Sequence, residues 1–213
     1  MAPAFTELLG TPGLRRGSTV AISTVGHAGV TALACSLIAQ ASTEGAWCAA
    51  VGMADLGVVA AAELGVALDR LALVPRPGSK LAPIVAALLD GCDVVLAPAD
   101  TSVAELRRLT ARARERRSVL VVLSGSLAAA SFPRPVAEGV DVRIEVAGST
   151  FGGLAPGTGR LAHRYIDVVA TRRSATPRTL RASFWLKAGS APAISTVTAG
   201  SLPPVRREEI AVR

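Results

Sequence analysis

A short stretch near residue 25 combines residue types and spacing that could hold phosphate groups. A phosphate-binding loop follows the pattern G-x-x-x-x-G-K-[ST], in which backbone amides and a helix N-terminus surround the phosphates. Its Lys neutralises the β- and γ-phosphate oxygens, and its hydroxyl holds Mg²⁺. The corresponding stretch in this chain is Thr24-Val25-Gly26-His27-Ala28-Gly29-Val30-Thr31.

This loop departs from the pattern at two positions. Gly29 and Thr31 match the second Gly and the hydroxyl, whereas Thr24 replaces the first Gly and Val30 replaces the Lys. Without the Lys a triphosphate lacks its nearest counter-charge, and a neutral His27 is a poor substitute at pH 7. The degenerate loop therefore consists of Gly26, Gly29, Val30 and Thr31, and we expect no bound cofactor and no metal ion there.

Apolar runs alternate with helical patterns over the first 125 residues, and these elements must position the loop. The pattern predicts strands at 18–23, 47–52, 71–74, 93–97 and 118–123. It predicts helices at 31–40, 55–64, 79–89 and 102–116. Strands and helices that alternate with short connections indicate βαβ units and a parallel sheet with helices on both faces.

The pattern changes after Ser126. Residues 140–146, 160–169 and 181–186 alternate apolar and polar side chains, which predicts antiparallel strands with one wet face at an edge of the parallel sheet. Residues 152–159 are rich in Gly and predict a loop. We therefore divide the chain into a core domain, residues 1–187, and a flexible C-terminal tail, residues 188–213.

The composition excludes several classes of protein. Half of the 213 residues are apolar, which excludes wholesale disorder, and the 3% aromatic content favours an α/β core over a β-sandwich built on aromatic anchors. The longest apolar runs are interrupted by charges, and the N-terminus lacks a signal peptide pattern, so we expect a cytoplasmic protein with no membrane span. Its three cysteines, Cys35, Cys48 and Cys92, and its tryptophans, Trp47 and Trp185, are predicted core residues.

Three segments resemble the RecA-type ATPases. Residues 7–18 are similar to the lead-in to their phosphate loop, residues 53–71 to the segment that ends in L-G-V-D, and residues 91–96 to the approach to their Walker B strand. The resemblance implies a RecA-like α/β fold, with a mostly parallel sheet flanked by helices and antiparallel strands in the C-terminal third. It covers roughly the first 125 residues.

Three functional positions of that family are lost. The Lys position is Val30, the catalytic Glu position after the second strand is Met53, and the Walker B Asp position is Pro98. None of these side chains carries charge or transfers protons. The resemblance therefore implies a RecA-like fold without ATPase activity, a pseudo-ATPase that is not an enzyme.

Two further runs, residues 54–75 and 152–161, resemble the ImuA-type accessory proteins of actinobacteria. That resemblance implies a subunit of a damage-induced translesion-synthesis complex, which contacts an ImuB-like inactive Y-family polymerase homologue and, through it, an error-prone C-family polymerase. With the lead-in at Glu7 and no ATP, we expect no RecA-like filament. The alternatives are a SulA-like inhibitor of cell division and a residual nucleotide-binding module.

The fourth predicted helix is a candidate contact with DNA or with an acidic partner. The chain carries a formal net charge of +7, and six arginines surround the apolar stripe of this helix. They are Arg107, Arg108, Arg112, Arg114, Arg116 and Arg117. Guanidinium groups on an exposed arc suit phosphate contacts, whereas the absence of interleaved aromatic residues favours an ordinary solvated face.

Overall fold

Nine strands form one sheet in this computed structural model, which describes residues 5–6, 9, 13–25, 29–126, 139–155, 158–173, 178–187 and 193–198. The strands are β1 (Thr19–Val25), β2 (Cys48–Val51), β3 (Leu71–Val74), β4 (Val94–Pro98), β5 (Val119–Ser126), β6 (Val142–Ala155), β7 (Thr158–Arg172), β8 (Arg178–Lys187) and β9 (Ala193–Thr198). The α-helices are α1 (Val30–Thr43), α2 (Val58–Glu63), α3 (Leu81–Gly91) and α4 (Val103–Arg116).

The sheet has the order β3-β2-β4-β5-β1-β6-β7-β8-β9. All pairs from β3 to β6 are parallel, and the pairs from β6 to β9 are antiparallel. The predicted α/β class, a mostly parallel sheet with antiparallel strands in the last third, is confirmed. Because β1 lies between β5 and β6, the residues that follow β1 are at the centre of the carboxyl edge of the sheet.

Helices cover both faces of the parallel strands. On one face, α1 packs Leu33, Leu37 and Ile38 into a core that continues to Ile166 and Phe184 of the antiparallel strands. On the other face, α3 and α4 pack a second core, to which they contribute Val85, Leu89, Leu106 and Leu109. Burial of apolar area on both faces explains why the parallel strands are almost continuously apolar.

The direction of β6 corrects one prediction. Its residues 142–146 pair in parallel with β1, from Val20↔Val142 to Thr24↔Val146, and β6 is antiparallel to β7 alone. The predicted alternation of a covered and a wet face is confirmed, because Ile144 is buried and Glu145 is exposed. Such alternation reports which face is buried and carries no information about strand direction.

Two other predictions fail near the hairpin and the C-terminus. Residues 152–159 were predicted to be a loop, but Leu154 pairs with Gly159 and Ala155 with Thr158, so cross-strand pairing includes most of this segment; residues 156–157 are outside the described part. A bulge between Gly152 and Leu154 accommodates the Gly-rich sequence. Within the predicted tail, Ala193–Thr198 forms β9 against β8; the rest of 188–213 lies outside the described residues.

The tryptophans are not core residues as predicted. Trp47 is 46% exposed and Trp185 is 37% exposed. Side chains alternate along a strand, so the burial of Phe184 places Trp185 on the opposite face, beside Tyr165 at 4.8 Å between ring centroids. Cys35 and Cys48 are buried as predicted, and Cys92 is half-buried. Among the described helices none is long and apolar enough to cross a membrane.

Candidate functional site

The three positions that the resemblance assigns to lost functional residues lie along the carboxyl edge of the parallel strands. Val30 begins α1 after β1, Met53 lies two residues beyond the end of β2, and Pro98 ends β4. Because β2 and β4 are neighbours, the positions of Met53 and Pro98 are adjacent, whereas β5 separates β4 from β1. The fold thus gathers these positions at one edge, as the resemblance to the ATPases implied.

The side chains at these positions take part in packing. Val30 is 8% exposed and belongs to the core beneath α1, and Met53 packs against the same core from outside. The ring of Pro98 lies against Gly52, where an added Cβ would be 2.9 Å from its Cγ. A lysine at position 30 would have to leave this core, and neither Met53 nor Pro98 supplies an oxygen ligand for Mg²⁺.

The glycine at the start of α1 packs against the chain's own antiparallel strand. Gly29 precedes Val30 with φ 130, a backbone conformation that favours glycine. A Cβ added at Gly29 would be 2.9 Å from Ile166 Cδ1 and 3.7 Å from a terminal nitrogen of Arg164. Apolar atoms of β7 therefore lie beside the residue where a phosphate loop normally leads into its helix.

Arg164 is a cation beside this edge that no motif in the sequence indicates. Its guanidinium carbon lies 4.1 Å from the centroid of the Phe151 ring, in a cation–π contact. Burial lowers the pKa of Arg164, since desolvation disfavours its charged form. The register of the β6–β7 hairpin pairs Phe151 directly with Arg164, and this register could not be read from the sequence.

Of the remaining loop residues that the structure describes, Thr24 is buried and Thr31 is exposed. Thr24 donates a hydrogen bond from Oγ1 to the carbonyl of Val146 at 3.3 Å, so the residue at the first Gly position is tied to β6. Thr31 is exposed, and Gly26 lies outside the described residues. In the described part of the chain, no group of three or more His, Cys, Asp or Glu side chains could hold a metal ion.

The arginine-rich helix, α4, begins with a capping box. Ser102 accepts a hydrogen bond from the Glu105 amide, and the Glu105 carboxylate accepts one from the Ser102 amide at 3.0 Å. The apolar stripe buries Leu106, Leu109 and Ala113 as predicted, while Val103 is half-buried. This stripe fixes which arginines face outward.

Two of the six arginines hold α4 against α3. Arg112 donates from Nε to Asp90 Oδ1 at 2.8 Å and to the Ala86 carbonyl at 3.1 Å, and Arg116 Nε lies 3.1 Å from the same carboxylate oxygen. The hydrogen bond from Arg112 is the main cause of the lowered pKa of Asp90. Arg107 and Arg108 are exposed on the same helix.

Arg114 and Arg117 lie apart from these, at the last turn of α4, close to Arg15 and Arg16 before β1. Arg15 and Arg16 were not predicted as site residues. They precede β1, Arg114 and Arg117 precede β5, and only the pairing of these two strands in the sheet brings the four arginines together. A contact role for the six arginines of α4 stays a prediction.

Comparisons with known proteins agree with this architecture. The family model described as MT3502 N-terminal domain matches residues 7–129. An uncharacterised protein of Mycobacterium tuberculosis, Rv3395c, is 32% identical over an alignment of 144 residues. The match covers 63% of this chain and 66% of that protein, slightly under two thirds of its length. The crystal structure of the flagellar accessory protein FlaH from Methanocaldococcus jannaschii superposes with a TM-score of 0.60 at 11% identity, covering 90% of this chain and 95% of that one. This likeness supports the predicted RecA-like fold, and at such identity it shows the fold alone.

Proposed function

The chain belongs to the family of MT3502 N-terminal domains, and from that premise we propose that it is a non-catalytic accessory subunit of a damage-induced translesion-synthesis complex. It acts through protein–protein contacts. The partner expected is an ImuB-like inactive Y-family polymerase homologue, which in turn connects it to an error-prone C-family polymerase. We therefore expect the protein to act in the cytoplasm.

The distribution of exposed apolar side chains is the observation that carries this proposal. Five of the seven large apolar side chains that are exposed in the described part of the chain lie between residues 47 and 73. They are Trp47, Val58, Val59, Leu68 and Leu73, and we call them the β3-edge patch. Clusters of exposed apolar groups mark surfaces that bind other proteins.

The position of the β3-edge patch at one end of the sheet also suits the binding of a protein partner. Among the described strands β3 is at one end of the sheet and pairs only with β2, and an edge strand of this kind can pair with another chain. Val59, on the short helix α2, is 74% exposed. A partner that covers these side chains would remove apolar area from water, which favours association.

The carboxyl edge supports the non-catalytic part of the proposal. Val30, Met53 and Pro98 contribute to packing and offer no charge for a nucleotide or for Mg²⁺. The chain would then use its RecA-like sheet as a scaffold for partner contacts. With no ATP to bridge neighbouring subunits, a RecA-like filament is not expected.

Affinity capture from damage-treated native cells tests the proposal. Tagged wild-type protein should retain polymerase-like chains, identified by mass spectrometry. The Val59→Asp variant places a charge in the β3-edge patch and should lower this capture about fivefold or more, because a partner that covers residue 59 would bury an unpaired carboxylate. The matched control is Ala111→Asp, an exposed position on α4 outside the patch, which should retain wild-type capture.

The outcomes separate the alternatives. Retention of a cell-division protein in place of polymerase-like chains would favour the SulA-like inhibitor and contradict the proposal. Equal capture by wild type and Val59→Asp would remove the β3-edge patch as the contact. Both variants change exposed side chains, so their melting temperatures should remain near the wild-type value.

A further inference from the structure

We propose that a basic cleft at the amino edge of the sheet binds the phosphodiester backbone of nucleic acid. The cleft has a volume of about 480 Å³ and is lined by four arginines, Arg15, Arg16, Arg114 and Arg117, together with Asp141. We call it the amino-edge cleft. It is a function beyond the accessory role proposed above and does not depend on it.

The cleft is formed where a tight turn meets the end of α4. The Ser18 amide and hydroxyl both donate to the Arg15 carbonyl, at 3.0 and 2.6 Å, and the Gly17 amide donates to the Ser118 carbonyl at 3.1 Å. Gly17 has φ 79, and a Cβ there would be 3.4 Å from the backbone of Arg114. This close approach brings the basic pair before β1 against the basic pair that ends α4.

The charges of the cleft are only partly compensated. Arg16 lies 3.0 Å from Asp93, and Arg114 lies 3.8 Å from Asp141. Arg15 and Arg117 are exposed and form no ion pair with any described residue. Four guanidinium groups against the carboxylates of Asp141 and Asp93 leave a charge of +2 at the cleft, a field that attracts polyanions.

The cleft continues into a neighbouring cavity that adds two more arginines. This second cavity, of about 280 Å³, shares Arg15 and Asp141 with the first and is also lined by Arg172 and Arg173. The buried Nε of Arg172 has no hydrogen-bond partner among the described residues. The same guanidinium donates from a terminal nitrogen to the Leu9 carbonyl at 3.3 Å, and the cations of Arg172 and Arg173 extend the positive field of the cleft.

The chemistry of the lining favours nucleic acid over an acidic peptide. The amino-edge cleft is lined by no apolar or aromatic side chain of the described residues, whereas protein interfaces depend on buried apolar anchors. Phosphate contacts need only charge and hydrogen-bond donors, and Arg presents a fork of donors that suits phosphate oxygens. Without an aromatic platform, we expect binding that is independent of sequence and that accepts duplex and single strands.

The cleft is distinct from the degenerate phosphate loop. The loop follows the carboxyl end of β1, and the cleft precedes its amino end at Thr19. Since β1 has seven residues, at about 3.3 Å of rise per residue the two places are roughly 20 Å apart. Loss of nucleotide binding at one edge therefore leaves the other edge free for a different anion.

Fluorescence anisotropy with a labelled duplex of arbitrary sequence, titrated at several salt concentrations, tests the proposal. The variant Arg15→Gln/Arg117→Gln removes the two arginines that lack ion pairs. We expect its affinity to fall about tenfold or more, and its log–log salt slope to become shallower by about 1.8, or about 0.9 per lost phosphate contact. The control Arg76→Gln/Lys80→Gln removes the same charge from exposed positions that follow β3, away from the cleft, and should change affinity less than about twofold.

Further variants separate binding at the cleft from a general effect of net charge. Arg15→Lys/Arg117→Lys keeps both positive charges and should therefore keep the wild-type salt slope. If it does, substitution at these two positions does not damage the fold, and the weaker binding of the Gln variant reports lost phosphate contacts. Equal losses in the Gln variant of the cleft and in the control would overturn the proposal, because net charge alone would then account for binding. Absence of duplex binding by the wild type, or preferential binding of inorganic triphosphate or of polyglutamate, would overturn it as well.

Discussion

A methyl group added at Gly29 tests whether β7 packs against the start of α1. In Gly29→Ala the new Cβ would be 2.9 Å from Ile166 Cδ1 and 3.4 Å from its Cγ1. Overpacking of this kind costs about 1–3 kcal/mol. The φ of 130 adds a backbone cost of about 1–2 kcal/mol, since L-residues disfavour the left-handed region.

A matched glycine separates these two costs. Gly45 has φ 95, and a Cβ added there would have no atom within 4 Å, so Gly45→Ala measures the backbone cost without a clash. The difference between the two Ala variants then reports the contact with Ile166. We expect Gly29→Ala to lower the free energy of unfolding by about 1–3 kcal/mol more than Gly45→Ala does.

A double-mutant cycle identifies the residue responsible. Ile166→Val deletes Cδ1 from a fully buried side chain and by itself costs about 0.5–1.5 kcal/mol. In combination with Gly29→Ala it also removes the closest contact, so the double variant should be more stable than the sum of the single changes by about 1 kcal/mol. Urea unfolding with unchanged m values is the assay. Additivity within about 0.5 kcal/mol would refute the packing of Gly29 on Ile166.

Two further predictions concern the helix cap and the cysteines. Ser102→Ala removes the hydroxyl that accepts from the Glu105 amide, so stability should fall by about 1 kcal/mol and the melting temperature by about 2–4 °C, whereas Ser102→Asp should retain both. Burial raises the pKa of Cys35 to about 11 and, with Asp93 nearby, that of Cys48 to about 12. Thiol labelling at pH 8 should therefore modify Cys92 first, and stability should decline as the pH rises above about 9, because the unfolded chain releases these protons at lower pH than the folded one. Rapid labelling of Cys35 in the folded protein would contradict this assignment.

The parallel part of the fold was predictable because its signals are local. Apolar runs such as residues 93–97 and 118–123 correspond to β4 and β5, and the helix predicted at 102–116 corresponds to α4. The mostly parallel sheet was also implied by the resemblance to RecA-type ATPases. The helix predicted from Asp55 begins only at Val58, since Gly57 and its neighbours do not sustain the first turn.

The antiparallel part was less predictable because its features depend on pairing between distant residues. Alternation predicted that residues 140–146 form a half-covered strand, yet the direction of β6 is set by its partner β1. Gly and Pro around residue 155 predicted a loop, but cross-strand pairing extends the hairpin to Ala155 and Thr158. Likewise, alternation within β8 could not tell which of Phe184 and Trp185 faces the core.

The same distinction between local signals and long-range pairing applies to the candidate sites. The assignment of Val30, Met53 and Pro98 to lost functional positions rests on motif spacing, because a motif specifies where each side chain lies relative to its strand, and this assignment stays a prediction. The amino-edge cleft was not predicted, because Arg15 and Arg114 are almost a hundred residues apart and meet only through the pairing of β1 with β5. The salt bridges of Arg112 and Arg116 to Asp90 also required the packing of α4 on α3.

The degenerate carboxyl edge leads to a quantitative expectation for nucleotide binding. A ligand present at its dissociation constant stabilises the folded state by RT ln 2, about 0.4 kcal/mol, which corresponds to a shift of roughly 1–2 °C for a chain of this size. With no cation at Val30 and no carboxylate at Met53 or Pro98, we expect Mg-ATP at millimolar concentration to shift the melting temperature by no more than this. Val30→Lys should not restore hydrolysis, and it should destabilise the protein because residue 30 is buried in the core beneath α1. A shift of several degrees with Mg-ATP, or hydrolysis by Val30→Lys, would show that the edge retains a nucleotide site.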